Sequence, residues 1–86
     1  MRSVIVTIEL QLKTEHCSYD FEIPCDVPVE LLLQHIAQTC NGYRANLKVP
    51  TKGGSLYAKR LSRTLRPQET FEDAGIWNGD ILSIKF

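Results

Sequence analysis

With 86 residues, 43% hydrophobic and 23% charged, the chain has room for one domain and one modest core; a polypeptide of this size buries little more than about 60% of its unfolded surface. This composition excludes disordered and fibrous classes, and no run approaches the roughly 20 apolar residues of a membrane span or the apolar core of a signal peptide. The formal net charge is zero, yet Glu15, Asp20, Glu22, Asp26 and Glu30 occupy a stretch without Lys or Arg, while Arg44, Lys48, Lys52, Lys59, Arg60, Arg63 and Arg66 occupy one without acids. Folded onto different sides, these stretches make a dipole able to steer a charged partner.

Residues 3 to 12, SVIVTIELQL, alternate Val4, Val6, Ile8, Leu10 and Leu12 against Ile5, Thr7, Glu9 and Gln11, which predicts a half-buried strand. KTEHCS is a polar connection, and YDFEI alternates again with Tyr19, Phe21 and Ile23 facing inward, completing a hairpin. Pro24 and Pro28 bracket a turn in which Asp26 is placed to cap a helix. Val29, Leu32, Leu33, Ile36, Ala37 and Cys40 then fall on one helical stripe, with Glu30, Gln34 and Gln38 on the wet side and Asn41-Gly42 as the stop. RANLKVP reads as a strand with Ala45, Leu47 and Val49 on one side, ended by Pro50; TKGGS is a turn and LYAK a short strand. RLSRTLRPQE, anchored only by Leu61 and Leu65, reads as an irregular basic loop. Thr70 and Asp73 form the outline of a capping box for one helical turn ended by Gly75. Ile76 returns to the core, NGD turns, and ILSIKF is a closing strand. The order predicts an α+β domain spanning 1–86, one helix covering a mixed sheet of four to five strands.

The motifs of catalysis are missing: there is no phosphate-binding glycine loop, Ser-His-Asp set or His-Glu-x-x-His spacing. Cys17, Cys25 and Cys40 are odd in number and lack Cys-x-x-Cys spacing, which fits free thiols in the cytoplasm and supplies neither a zinc site nor the four cysteines of an iron–sulfur cluster. Cys40 lies on the helical stripe as a core residue. His16 and Cys17 are adjacent in a strand-like loop whose successive side chains point apart, so the histidine is not expected to activate the thiol. The expectation is a protein without enzymatic activity, cofactor or metal.

Two surfaces are candidates for binding. The basic segment 59–66, with Lys59, Arg60, Arg63 and Arg66, suits an acidic protein partner; a nucleic-acid-binding module is the alternative, against which stands a pI of about 6.7. The outward sheet face carries Ile5, Ile81 and Lys85, with Lys48 beside it and Trp77 as a possible interface anchor or a lid on the core edge.

The element order and the closing residues Thr70, Phe71, Asp73, Ile76, Leu82 and Ile84 resemble ubiquitin-like β-grasp domains. Within that group YDFEIPCDVPVELLL, LKVPTKGGSL and DAGIWNGDILSI are similar to the bacterial YukD/EsaB proteins of type VII (WXG-type) secretion. The stretch from about Arg60 to Glu69 departs from that family in being longer and more basic. The resemblance implies a ubiquitin-like β-grasp fold and an accessory or regulatory component that contacts a cytosolic segment of a membrane secretion protein, without inserting into the membrane; the other form it implies is an adaptor domain cut from a larger membrane protein. Conjugating relatives use a flexible Gly-Gly tail, whereas Ile84-Lys85-Phe86 continues an apolar strand, so the expected mode is docking without covalent attachment.

Overall fold

A computed structural model describes residues 2–11, 16–43 and 53–85 of the chain. Strands β1 (Ser3–Gln11) and β2 (His16–Pro24) are followed by helix α1 (Val29–Tyr43). Then come β3 (Ser55–Ala58), β4 (Arg63–Thr64), the single turn α2 (Phe71–Ala74) and β5 (Ile81–Lys85). The predicted strand over Ala45, Leu47 and Val49, and with it Lys48, lies outside the described residues, as do Leu12 and Phe86.

The five strands form one mixed sheet in the order β2-β1-β5-β3-β4. The β1–β2 hairpin is antiparallel, with Val6 opposite Phe21, and β1 runs parallel to β5, with Ile8 opposite Leu82. A crossover is needed to bring two parallel strands together, and α1 supplies it. The even-numbered residues Val4, Val6, Ile8 and Leu10 join Leu56, Leu82 and Ile84 on the inner face, where Val29, Leu32, Ile36, Ala37 and Cys40 of α1 pack on them. This is the ubiquitin-like β-grasp arrangement, and the strand and helix periodicities predict both of its packed faces.

Three local expectations need correction. The helix runs through Asn41 and Gly42 to Tyr43, because Gly42 keeps a negative φ and so does not form the left-handed stop. Its N-terminus is not closed by Asp26. The first two N–H groups, on Val29 and Glu30, donate to the carbonyls of Glu69 and Pro67 at 2.9 and 3.0 Å, so the loop after β4 satisfies donors that have no partner inside the helix. That loop is also more regular than expected, since Arg63 and Thr64 pair antiparallel with Ala58 and Tyr57 as an edge strand. Leu65 is buried and Leu61 is partly buried against the core, so both apolar residues of the basic segment serve as anchors.

The segment before β5 folds as its residues predict. Thr70 caps α2 by accepting the Asp73 N–H at 3.1 Å, and Gly75 ends the turn at φ 75°, a conformation that costs glycine little. Phe71 and Ile76 enter the core.

Candidate interaction surface

The face of the sheet opposite α1 is built by strand alternation. Ile5, Thr7, Glu9 and Gln11 of β1 stand beside Ile81, Ser83 and Lys85 of β5, in the register Thr7 to Ile81 and Glu9 to Ser83. Tyr57 of β3 lies across from Ser83, and the acids Asp20 and Glu22 of β2 lie across from Thr7 and Ile5. The acidic stretch of the sequence therefore borders this face on the β2 side, and Lys59 and Lys85 border it on the β3 side, while Arg63, opposite the inward Ala58, stands on the helix side of the sheet. At its centre Ile5 is 56% exposed and Ile81 42% exposed, and Trp77, next to them in the turn before β5, is 61% exposed. Apolar side chains of this size left in water at the middle of a sheet make a small hydrophobic patch, and the exposed tryptophan in the adjoining turn does not cover the core edge.

The turn carrying Trp77 is fixed from several sides. The Asp80 N–H donates to the Trp77 carbonyl at 3.1 Å, with Gly79 at φ 85° between them, and the Gly79 N–H reaches the Ile5 carbonyl at 2.8 Å. Asn78 Oδ1 accepts the Ile5 N–H at 2.8 Å, so the turn extends the β5 pairing with β1 by a side chain. The carboxylate of Asp80 is buried, accepts the Trp77 N–H at 2.8 Å and receives both Nε and Nη2 of Arg60, at 2.8 and 2.9 Å. A third bond from Arg60 goes to the Gly75 carbonyl, and the guanidinium lies 3.8 Å from the centroid of the Trp77 ring. Arg60 thus fastens the β3–β4 connection to the turn and holds the indole in one orientation. The fork of Arg60 keeps the Asp80 carboxyl below its ordinary range, with the Trp77 N–H adding to the effect against the opposing influence of burial.

Two further cations of the basic segment are paired. Arg63 grips Glu69 through both nitrogens at 3.0 and 2.7 Å, and this contact, aided by the Arg66 N–H, holds the Glu69 carboxyl down at about 2. Lys59 bridges to Glu9 at 2.6 Å across the outer face. Lys85 sits 4.5 Å over the Tyr57 ring. Segment 59–66 accordingly presents less unpaired positive charge than its composition suggests, and Arg66 is the exposed cation whose side chain the described contacts leave most open. The sequence shows the basic run but not its partners, because Asp80 and Glu69 lie 20 and 6 residues from the arginines they hold. The local signals are the Arg66-x-x-Glu69 and Trp77-x-x-Asp80 spacings, which let a carboxylate accept the N–H three residues back.

His16 is exposed and Cys17 half-buried on opposite sides of β2, while burial raises the Cys40 thiol above its usual range. His35 is exposed, farther out than its position at the edge of the stripe suggests. Among the described residues no three His, Cys, Asp or Glu side chains converge, and no helix is long and apolar enough to cross a membrane.

The family model described as "WXG100 protein secretion system (Wss), protein YukD" matches residues 3–84. No curated protein matches the chain significantly in sequence. Among solved structures, the ubiquitin of Caldiarchaeum subterraneum is 18% identical with a TM-score of 0.73, over 96% of this chain and 91% of that one. The ubiquitin-like domain of the Mycobacterium tuberculosis type VII secretion system protein EccD1 is 18% identical with a TM-score of 0.72, over 100% of both chains. A chain of a MycP5-free ESX-5 inner membrane complex is 17% identical with a TM-score of 0.74, over 98% of this chain and 21% of the larger one.

Proposed function

The chain belongs to the YukD family of the WXG100 protein secretion system, and from that membership we propose that it is an accessory or regulatory component of type VII secretion that works by docking on a protein partner. The partner is a cytosolic segment of the membrane apparatus, and the protein acts from the cytoplasm, by contact and with no reaction of its own. The observation that carries this reading is the exposed cluster of Ile5, Ile81 and Trp77, held rigid by Arg60 and Asp80 on the two central strands. Preordering an aromatic anchor lowers the entropy lost on binding, and a small apolar centre inside a charged rim is the anatomy of a transient interface. The likeness in fold to a secretion-system domain and to part of an inner membrane complex supports the same setting.

The test is capture of purified cytosolic segments of the secretion membrane complex by the immobilised protein, alongside export of a WXG100 substrate in cells. Ile5→Glu with Ile81→Glu alters only exposed side chains, so the melting temperature is expected to stay close to wild type while capture and export both fall by at least about tenfold. Undiminished capture by the double variant overturns the assignment of this face. A basic reversal across Lys59, Arg60, Arg63 and Arg66 is a poor substitute, because it also breaks the clamps on Asp80 and Glu69.

A further inference from the structure

Among the described residues strand β2 is one edge of the sheet. The direction of its backbone groups follows from the ladder on the other side of β1. The Thr7 N–H donates to the Asp80 carbonyl and the Ile5 carbonyl accepts from Gly79, so the odd-numbered residues of β1 address β5 and the even-numbered ones address β2. In the hairpin register Val6 pairs with Phe21, Ile8 with Tyr19 and Leu10 with Cys17. The N–H and C=O groups of Ser18, Asp20 and Glu22 therefore point away from the sheet. Over nine residues β2 has no bulge and no lysine, and its proline, Pro24, comes only at the end, so the charges that guard this open edge are acidic, those of Asp20 and Glu22.

The side chains flanking this edge differ on its two faces. On the helix side Cys17, Tyr19 and Phe21 form an apolar strip that packs against the core and is half-buried. On the outer side Asp20 and Glu22 are exposed, and the chain carries no Lys or Arg from Thr14 to Tyr43 to neutralise them. A strand laid against β2 has its own alternation, with one set of side chains meeting Tyr19 and Phe21 and the other meeting Asp20 and Glu22.

We propose that the outer edge of β2 is a strand-addition site for an extended peptide that alternates apolar and basic residues. A second copy of this chain is disfavoured there, since antiparallel pairing of β2 with itself sets the acids of one copy against those of the other. The site adjoins the Ile5–Ile81–Trp77 face, since Glu22 stands opposite Ile5, but it uses the edge backbone of β2 and does not depend on the proposed role of that face.

The probe is a capped eight-residue peptide alternating valine and lysine, titrated into the isotopically labelled protein. Amide signals of Ser18, Asp20 and Glu22 should shift, and their hydrogen exchange should slow by at least about tenfold. A peptide with the four lysines and four valines in separate blocks should bind at least about tenfold more weakly. Ser18→Pro removes one outward N–H while leaving the β1 ladder intact, and should abolish the protection; Asp20→Lys with Glu22→Lys should weaken binding by about tenfold or more. Circular dichroism verifies that each variant is folded. The proposal is overturned by shifts confined to Ile5, Ile81 and Lys85, by equal binding of the block peptide, by no shift at millimolar peptide, or by slow exchange of the three amides before peptide is added, which would place a second copy on the edge.

Discussion

Residues 3–43 and residues 59–80 of this small domain are stabilised by different means. In the first region a hairpin and a helix bury apolar stripes, and nearly every inward position is aliphatic, aromatic or cysteine. In the second, Leu61, Leu65, Phe71 and Ile76 give only scattered anchorage, and the chain path is fixed by polar bonds: Arg60 to Asp80, Arg63 to Glu69, and the Pro67 and Glu69 carbonyls to the start of α1. The difference teaches that the basic segment, which looks like a binding surface, is largely a fastening. Arg60 fastens the turn that displays Trp77, and Arg63 fastens the loop that meets the start of α1.

The comparison can be broken first where burial dominates. Ile36→Ala removes a fully buried side chain from the helix stripe and should cost roughly 2–5 kcal/mol, read as a lowered urea midpoint. Asp80→Ala leaves the Arg60 fork and the Trp77 N–H without their acceptor in a buried place, with an expected loss of about 3 kcal/mol and a change in tryptophan fluorescence as the indole loses its fixed position.

The pH dependence sharpens the contrast. The Glu69 carboxyl is held near about 2 against an ordinary value of 4.5, so its contribution is complete above the unfolded value and is lost as pH falls through the folded one. Stability should decline between about pH 5 and pH 2, and Arg63→Gln should flatten that decline in acid unfolding curves. Smaller still, Thr70→Ala removes the cap of α2 and should cost about 1 kcal/mol by thermal melting. Lys59→Ala breaks a bridge to Glu9 that is half in water and should cost less than about 1 kcal/mol.

The same division explains what was legible in the sequence. Both packed faces, the inward turn at Ile76 and the cap on α2 follow from periodicity and from residues three or four apart, where local geometry decides. The outward placement of Ile5 and Ile81 follows from the same alternation. The two-residue strand β4, the loop that closes the N-terminus of α1 and the arginine clamps were not legible, because each joins residues whose proximity only the complete fold creates. The helix end at Tyr43 was missed for a milder reason: Asn-Gly permits a left-handed stop without requiring one.

The central claim is that the outer face around Ile5, Ile81 and Trp77 meets the secretion apparatus. Amide and indole signals of the labelled protein, recorded with and without a purified cytosolic segment of the membrane complex, test it most directly. The account predicts the largest shifts at Ile5, Trp77 and Ile81, with smaller ones at Ser83 and Lys85. Shifts centred on the wet side of α1, at Glu30, Gln34 and Gln38, with the tryptophan signal unmoved, would contradict it.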